Sequence, residues 1–168
     1  MAKQLLLVRH GKSDRDHPTI KDFDRPLNHR GHKNAATMAE KVLKKGWSPP
    51  MLVSSPANRA WSTAKHFAKI WNIPADEIHT DLSIYEAAIP DLLKVVNHFS
   101  NEYSTIAMFG HNPGFTDFAN YLTDADIYNI PTSGVVVISF DVNDWAEISH
   151  HTGTILLFDF PKNTEEAP

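Results

Sequence analysis

The chain has 168 residues, of which 42% are hydrophobic, and it carries a formal net charge of −4. This size and apolar content predict a single domain over residues 1–168, with enough chain to bury a substantial core. The mildly acidic balance argues against a nucleic-acid-binding protein, because such proteins rely on a surplus of positive charge. The chain has no cysteine, which excludes disulfides, cysteine-ligated metals, and phosphatases or proteases with a thiolate nucleophile.

The apolar runs of the sequence are short. The run that precedes Arg9 near the start of the chain is too brief for the core of a signal peptide. No run approaches the length that spans a bilayer, so we expect no membrane association. These features predict a cytoplasmic protein.

The segment Leu5–Ser13 contains the first sign of a functional site. Leu5-Leu6-Leu7-Val8 is typical of a strand buried on both faces, and it ends at Arg9, His10 and Gly11. In an open α/β sheet, functional groups collect just beyond the carboxyl ends of parallel strands. A cation, an imidazole and a glycine at this place predict an anion site. Two solvent-exposed polar residues at a strand end are the alternative.

The rest of the chain alternates predicted helices and strands. After a loop over Asp14–Asn28, helices are predicted over His29–Lys45, from near Arg59 to Trp71, over Pro90–Phe99, and in a short segment ending near Leu122. Strands are predicted over Met51–Val53, weakly over Ile78–Leu82, and over Thr105–Phe109, Val135–Phe140 and Gly153–Phe160. A hairpin turn at Asp141–Asp144 could join the last two strands. Residues 163–168 are expected to fray. This alternation predicts an α/β fold with a mostly parallel central sheet covered on both faces, and antiparallel strands late in the chain.

Two later strands also end in residues suited to binding an anion. Arg59 lies in the first turn of the helix after the second strand, where a bound anion would meet the guanidinium and the free N–H groups of the helix together. An arginine that extends into solvent is the alternative. His111 follows the buried strand that ends at Phe109. Because parallel strands end along one edge of a sheet, we expect Arg9, His10, Arg59 and His111 to converge.

Four such side chains suit phosphoryl transfer. Two arginines can bind phosphate oxygens in a bidentate manner. A neutral histidine can attack phosphorus, and a second histidine can donate a hydrogen bond to an oxygen as charge shifts. This chemistry needs no metal and no cofactor, so the sequence predicts neither. Glu86 follows another predicted strand and could act as the acid for the leaving group, although an exposed glutamate before a helix is the alternative.

The same residues resemble a known family. Their order and spacing are similar to those of the histidine phosphatase superfamily in three motifs: Arg9-His10-Gly11, Arg59 after Ser54-Ser55-Pro56, and Gly110-His111-Asn112-Pro113-Gly114. Within that superfamily, three segments resemble the compact SixA-type phosphohistidine phosphatases: Arg-His-Gly-Lys-Ser at the end of the first strand, Asp24-Arg25-Pro26-Leu27-Asn28, and Pro131-Thr132-Ser133-Gly134. The resemblance extends from Leu5 to about Phe140.

This resemblance implies a phosphoglycerate mutase-like fold, which is a three-layer α/β/α sandwich. It also implies that His10 becomes transiently phosphorylated, in a pocket formed by Arg9, Arg59 and His111. Arg25, from the loop, and Ser13, at the entrance, are further candidate phosphate ligands. Exposed surface residues are the alternative for both.

The sequence therefore predicts a metal-independent phosphatase that hydrolyses phosphohistidine on a partner protein. Metabolite-specific relatives carry extra helices over the pocket, and the predicted elements between Arg59 and His111 leave no room for such an insertion. An open site of this kind suits a phosphorylated side chain on a protein surface. The alternatives are a phosphomonoesterase or mutase of the same superfamily with a small phosphometabolite as substrate, and a non-catalytic phosphate-binding module. The presence of His10 argues against the module.

Overall fold

A computed structural model describes residues 2–161, which fold around a six-stranded sheet. The strands are β1 (Lys3–Arg9), β2 (Met51–Ser54), β3 (His79–Thr80), β4 (Thr105–Gly110), β5 (Val135–Phe140) and β6 (Gly153–Asp159). The helices are α1 (His29–Lys44), α2 (Asn58–Ile70), α3 (Ile89–Asn97) and α4 (Gly114–Leu122). The predicted frayed tail, residues 163–168, lies outside the described residues.

The strand order in the sheet is β3-β2-β4-β1-β5-β6. Strands β1, β2, β3 and β4 run parallel to one another, β5 pairs antiparallel with β1, and β6 pairs antiparallel with β5. The predicted α/β class, with a mostly parallel sheet and late antiparallel strands, is confirmed. Because β2, β4 and β1 are neighbours, their carboxyl ends lie side by side at one edge of the sheet.

Helices cover both faces of the sheet, which explains the unbroken apolar run in β1. Leu5 and Leu7 belong to the core formed with α3 and α4, whereas Leu6 and Val8 belong to the core formed with α1 and α2. Successive residues of a strand point to opposite faces, so a strand between two helical layers needs apolar residues at every position. Within residues 2–161, no helix has both the length and the apolar character needed to cross a membrane.

The predicted strand over Ile78–Leu82 is wrong in its length. Strand β3 contains only His79 and Thr80, both exposed at the edge of the sheet. The Asp81 carboxylate accepts a hydrogen bond of 2.9 Å from the Ser83 backbone N–H, and a 3₁₀ turn begins at Leu82. This local cap ends the strand before Leu82.

The predicted hairpin turn at Asp141–Asp144 is also wrong. Strands β5 and β6 are paired, but the connection between them covers residues 141–152 and includes a 3₁₀ turn over Trp145–Glu147. Trp145 is fully buried, and its indole N–H donates to the Tyr103 carbonyl oxygen at 2.8 Å. Burial of this large side chain requires a longer excursion than a tight turn allows. The other predicted elements agree with the structure to within two residues at each end.

The start of α1 packs directly against the chain that follows His10. The Asn28 side chain caps the helix by accepting a hydrogen bond of 2.8 Å from the Gly31 N–H. The backbone N–H of Asn28 donates to the Lys12 carbonyl oxygen at 2.9 Å. A methyl group on the Cα of Gly31 would overlap that same oxygen. Glycine therefore allows the close approach of α1 to the segment after β1.

We expect Gly31→Ala to destabilise the protein, although alanine favours an unconstrained helix by about 1 kcal/mol over glycine. The added methyl group must displace the Lys12 backbone, and overpacking of this kind typically costs roughly 1–3 kcal/mol. Urea denaturation measures the free energy of unfolding. Glu40→Ala, at an exposed position of the same helix, is the control and should change it little. A Gly31→Ala protein as stable as the wild type would contradict the proposed close contact.

Candidate active site

The structure brings Arg9, His10, Arg59 and His111 together at the carboxyl edge of β1, β2 and β4. Arg9 is the last residue of β1, His10 follows it, Arg59 is the second residue of α2, and His111 follows β4. The ring centroids of His10 and His111 lie 5.3 Å apart. Residues distant in sequence therefore form one cluster, because three neighbouring strands end at the same place.

The His10 imidazole is held in a form that can act as a nucleophile. The residue is only 7% exposed, and Nδ1 lies 2.7 Å from the Gly11 carbonyl oxygen. A carbonyl oxygen only accepts hydrogen bonds, so Nδ1 carries the ring proton and Nε2 carries the lone pair. Burial, together with the nearby His111, Arg59 and Arg9 side chains, lowers the pKa of His10 to about 3. The ring is therefore neutral at neutral pH.

A buried threonine links the turn after His10 to the helix that carries Arg59. The Thr63 hydroxyl accepts a hydrogen bond of 2.9 Å from the Gly11 N–H and donates one of 2.8 Å to the Arg59 carbonyl oxygen. The Cα of Gly11 lies so close to Gly31 that a methyl group there would come within 2.9 Å of the Gly31 carbonyl oxygen. The sequence reasoning missed Thr63. Its only sequence signal is its place one helical turn after Arg59.

His111 is held by a serine that follows β2. Its Nε2 atom lies 2.8 Å from the Ser55 hydroxyl oxygen, which also accepts a hydrogen bond of 3.2 Å from the Ala57 N–H. The hydroxyl can donate its own proton to Nε2, and in that arrangement the proton of the neutral His111 ring lies on Nδ1. Burial, followed by the charge of Arg59, lowers the pKa of His111 to about 4. A neutral ring with an Nδ1–H group can donate to a phosphate oxygen.

Several nitrogen atoms of this cluster lack a hydrogen-bond partner. Arg9 uses Nη1 to donate to the Ile130 carbonyl oxygen at 2.8 Å. Arg59 donates from Nη1 to the Asp22 carbonyl oxygen at 2.7 Å and from Nη2 to the Asp22 carboxylate at 3.0 Å. The Nε atoms of both arginines and Nδ1 of His111 are buried without a partner among the described residues. Buried donors of this kind are costly when unpaired, and an anion bound between these side chains would supply acceptors.

A carboxylate that the sequence reasoning did not single out completes the cluster. Oδ1 of Asp22 accepts a hydrogen bond of 2.8 Å from Arg25. Oδ2 accepts one of 3.0 Å from Arg59 and one of 2.6 Å from the Tyr85 hydroxyl. The hydrogen bond from Tyr85, together with the two arginines, lowers the pKa of Asp22 to about 2. The same carboxylate raises the pKa of Tyr85 to about 12.

Tyr85 also connects this carboxylate to the second histidine. The rings of Tyr85 and His111 meet edge to face, with centroids 5.5 Å apart. Neither Asp22 nor Tyr85 has a sequence signal of its own, because both lie in irregular segments without hydrophobic periodicity. Their pairing depends on how two distant loops meet in the folded chain.

Arg25 and Ser13 lie next to each other at the entrance. The Nε atom of Arg25 donates to the Ser13 hydroxyl at 3.0 Å. Ser13 lines a cavity of about 320 Å³ together with Arg9 and His10. The charge of Arg25 contributes to the lowered pKa of His111. Both residues therefore border the cluster.

Glu86 approaches the cluster from another side. It lines a cavity of about 400 Å³ with His111 and Asn112, whereas His10 lines the cavity beside Ser13. Glu86 is exposed, and its backbone lies in the left-handed region with φ of 56°. It thus borders the site through His111. Among residues 2–161, no group of three or more histidine and acidic side chains is placed to hold a metal ion.

Comparison with known proteins identifies the family. The family model described as the histidine phosphatase superfamily (branch 1) matches residues 5–89, half of the chain. The chain belongs to the histidine phosphatase superfamily. An uncharacterised chloroplastic protein of Arabidopsis thaliana is 30% identical over 155 residues, which cover 88% of this chain and 71% of the relative.

Solved structures of this superfamily share the fold. A protein from Agrobacterium tumefaciens, provisionally described as the phosphohistidine phosphatase SixA, matches with a TM-score of 0.79 and 23% identity, over 95% of this chain and 98% of its own. The protein histidine phosphatase SixA in complex with tungstate matches with a TM-score of 0.79 and 19% identity, over 94% and 97% of the two chains. The predicted superfamily and the phosphoglycerate mutase-like sandwich are confirmed. Membership supports phosphatase chemistry in general.

The two buried imidazoles predict a specific acid sensitivity of the fold. Their pKa values, about 3 for His10 and about 4 for His111, lie below the ordinary value of 6.5. Below about pH 6.5 the unfolded chain therefore binds protons that the folded chain does not, and the free energy of unfolding falls as the pH falls towards 4. We expect the double variant His10→Asn, His111→Asn to show a weaker fall over this range.

Urea denaturation at a series of pH values from 7 to 4 measures this slope. His79→Asn, which removes an exposed histidine of β3, is the control and should keep the wild-type slope. An unchanged slope in the double variant would show that the two imidazoles do not account for it.

Proposed function

We propose that the chain is a phosphohistidine phosphatase, which uses no metal and removes the phosphoryl group from a histidine of a partner protein. The observation that carries this proposal is the neutral, buried His10, whose Nε2 lone pair lies beside two arginines and a second neutral histidine. A nucleophile without charge and a pocket rich in donors are what transfer of an anionic phosphoryl group requires. The cytoplasmic location expected from the sequence belongs to the same proposal.

The proposed reaction has two steps. First, the Nε2 lone pair of His10 forms a bond to phosphorus as the bond from phosphorus to the substrate nitrogen breaks, and the electron pair of that bond stays with the departing imidazole. Arg9 and Arg59 bind the phosphoryl oxygens, and the Nδ1–H group of His111 donates to them as their charge shifts. Water then attacks phosphohistidine at position 10, which releases inorganic phosphate and restores His10.

The elements between Arg59 and His111 favour a protein substrate. After α2, this interval contains β3, α3 and β4 with short 3₁₀ turns, and α3 packs in the layer that covers the sheet. No helix within this described interval is left over to form a cover for the pocket. A phosphorylated side chain on a partner protein can enter such an open site, whereas a small phosphometabolite would contact few residues beyond those that bind its phosphate. The tungstate-bound SixA, named a protein histidine phosphatase, is consistent with this choice at the level of fold.

The first test is to trap the phosphorylated enzyme. Rapid acid-free quenching during turnover of a phosphohistidine protein should leave phosphate on His10 in a form that acid cleaves and alkali does not. His10→Ala should lose both the trapped phosphate and the activity, because the proposed covalent intermediate forms on this ring. Mass spectrometry of the quenched protein locates the phosphate.

His98→Ala, which removes an exposed histidine of the loop after α3, is the matched control and should keep full activity. The same assay should continue in the presence of a chelator. Full activity of His10→Ala, or loss with chelator and rescue by a divalent cation, would overturn the proposed mechanism. A wild-type protein that binds phosphate without turnover would indicate the non-catalytic module instead.

The second test concerns Glu86 as an acid. An alkoxide leaving group needs a proton as the bond to phosphorus breaks, whereas an imidazole that already carries a ring proton can leave as a neutral molecule. Glu86→Gln should therefore reduce kcat/KM for an alkyl phosphate more than for a phosphohistidine peptide. Glu102→Gln, an exposed glutamate after α3, is the control. Equal losses for the two substrates would remove Glu86 as a proton donor, and a wild-type preference for a small alkyl phosphate would favour the phosphomonoesterase or mutase alternative.

A further inference from the structure

The Asp22 carboxylate binds the cations that a phosphate would use. It accepts hydrogen bonds from Arg59 and Arg25, and a third from Tyr85. Asp22 lies on the 3₁₀ turn over Asp22–Asp24, within the loop that follows His10. A fixed negative charge therefore sits at the edge of a site that receives an anion.

Such a placement has an electrostatic cost for an ordinary phosphate ester. Two anions that share one guanidinium repel each other, and this repulsion opposes the binding of the second anion. With its pKa held at about 2, Asp22 stays ionised at every pH at which the enzyme would work. The carboxylate thus weakens the binding of phosphate groups in general, unless the substrate also brings a positive charge.

The geometry leaves Asp22 free to meet such a charge. Its side chain is 48% exposed. A carboxylate has about four acceptor positions, and the three hydrogen bonds use two on Oδ2 and one on Oδ1. Tyr85 links the carboxylate to the ring of His111, which in turn lies 5.3 Å from the ring of His10. One acceptor position of Oδ1 therefore remains open on a side chain that is half exposed to solvent.

We propose that Asp22 selects substrates in which the phosphoryl group is carried by a protonated imidazole, by accepting a hydrogen bond from the ring nitrogen that is not bonded to phosphorus. This inference rests on the proposed phosphohistidine phosphatase function and adds the residue that determines its specificity. A charge-assisted hydrogen bond of this kind stabilises the cationic ring, in the way that a carboxylate stabilises an imidazolium in a catalytic triad.

The chemistry of the departing ring explains the benefit. When the ring nitrogen distant from phosphorus carries a proton, cleavage of the P–N bond leaves the bonding electron pair on the departing nitrogen, and the product is neutral imidazole. Without that proton, the product would be an imidazolate anion, which is a much poorer leaving group. The proton stays on the ring throughout, so Asp22 holds the reactive form of the substrate and transfers no proton itself.

The test compares two substrates in wild type and Asp22→Asn. One is a phosphohistidine peptide, and the other is p-nitrophenyl phosphate, whose leaving group has no N–H and needs no cation. We expect the ratio of kcat/KM for the peptide to that for p-nitrophenyl phosphate to fall about tenfold or more in Asp22→Asn, because a hydrogen bond to a charged group is lost. Competitive inhibition by inorganic phosphate should become stronger in the same variant, since the repelling charge is removed.

Asp24→Asn is the matched control, because it removes the same charge from the same turn at an exposed position. Its substrate ratio and its inhibition by phosphate should stay at the wild-type values. Thermal melting checks that each variant is folded, and Asp22→Ser provides a second substitution if Asp22→Asn is not.

The outcomes separate the two proposals. If Asp22→Asn loses activity equally on both substrates, Asp22 only positions Arg59, and the selection of an imidazolium is refuted while the phosphohistidine phosphatase stands. If wild type cleaves p-nitrophenyl phosphate but not the peptide, the proposed function fails and the inference fails with it. A ratio that falls in Asp22→Asn and not in Asp24→Asn supports the role of Asp22.

Discussion

Burial of positive charge at one edge of the sheet is the constraint on which the rest of the site depends. Two guanidinium groups and two imidazoles share a small region that excludes most water, and charging all four would be costly. The protein keeps both rings neutral, since the pKa values of His10 and His111 are about 3 and about 4. It then anchors Arg9 on a backbone carbonyl oxygen and Arg59 on a carbonyl oxygen and a carboxylate. Three buried nitrogen atoms, Nε of Arg9, Nε of Arg59 and Nδ1 of His111, remain without a partner in the part of the chain that the structure describes. A bound anion would supply the acceptors that they lack.

Much of this arrangement follows from local pattern and sheet geometry. An apolar run without polar interruptions, such as Leu5–Val8, indicates a strand between two helical layers. Parallel neighbours end at one edge, so polar residues just after β1, β2 and β4 must be close in space. The residues at those ends are Arg9, His10, Arg59 and His111. Their convergence requires no knowledge of individual side-chain contacts, and for this reason the sequence was sufficient to predict it.

Contacts between irregular segments could not be predicted in this way. Asp22 meets Arg59 across 37 positions and Tyr85 across 63, and neither loop has a periodicity that orients its side chains. The hydroxyl of Thr63 joins Gly11 to α2, although a threonine inside a helix has many ordinary roles. The end of β3 depends on the Asp81 cap, and the long connection before β6 depends on burial of Trp145. The Asp81 cap is a local contact within an irregular segment, whereas the other features are set by tertiary packing, which overrides local propensity.

The base of the loop between β1 and α1 is closed by backbone hydrogen bonds. The Asp14 N–H donates to the Pro26 carbonyl oxygen at 2.8 Å, and the Asn28 N–H donates to the Lys12 carbonyl oxygen at 2.9 Å. Because the two ends of the loop are joined at this neck, a change of length or sequence over the exposed residues 16–20 leaves the strand that presents the nucleophile in place. Doubling the length of such a loop costs only about 0.6 kcal/mol in closure entropy. Residues 16–20 can therefore be exchanged, by natural variation or loop grafting, to alter what the enzyme recognises, while Asp22 keeps its contacts with Arg59 and Arg25.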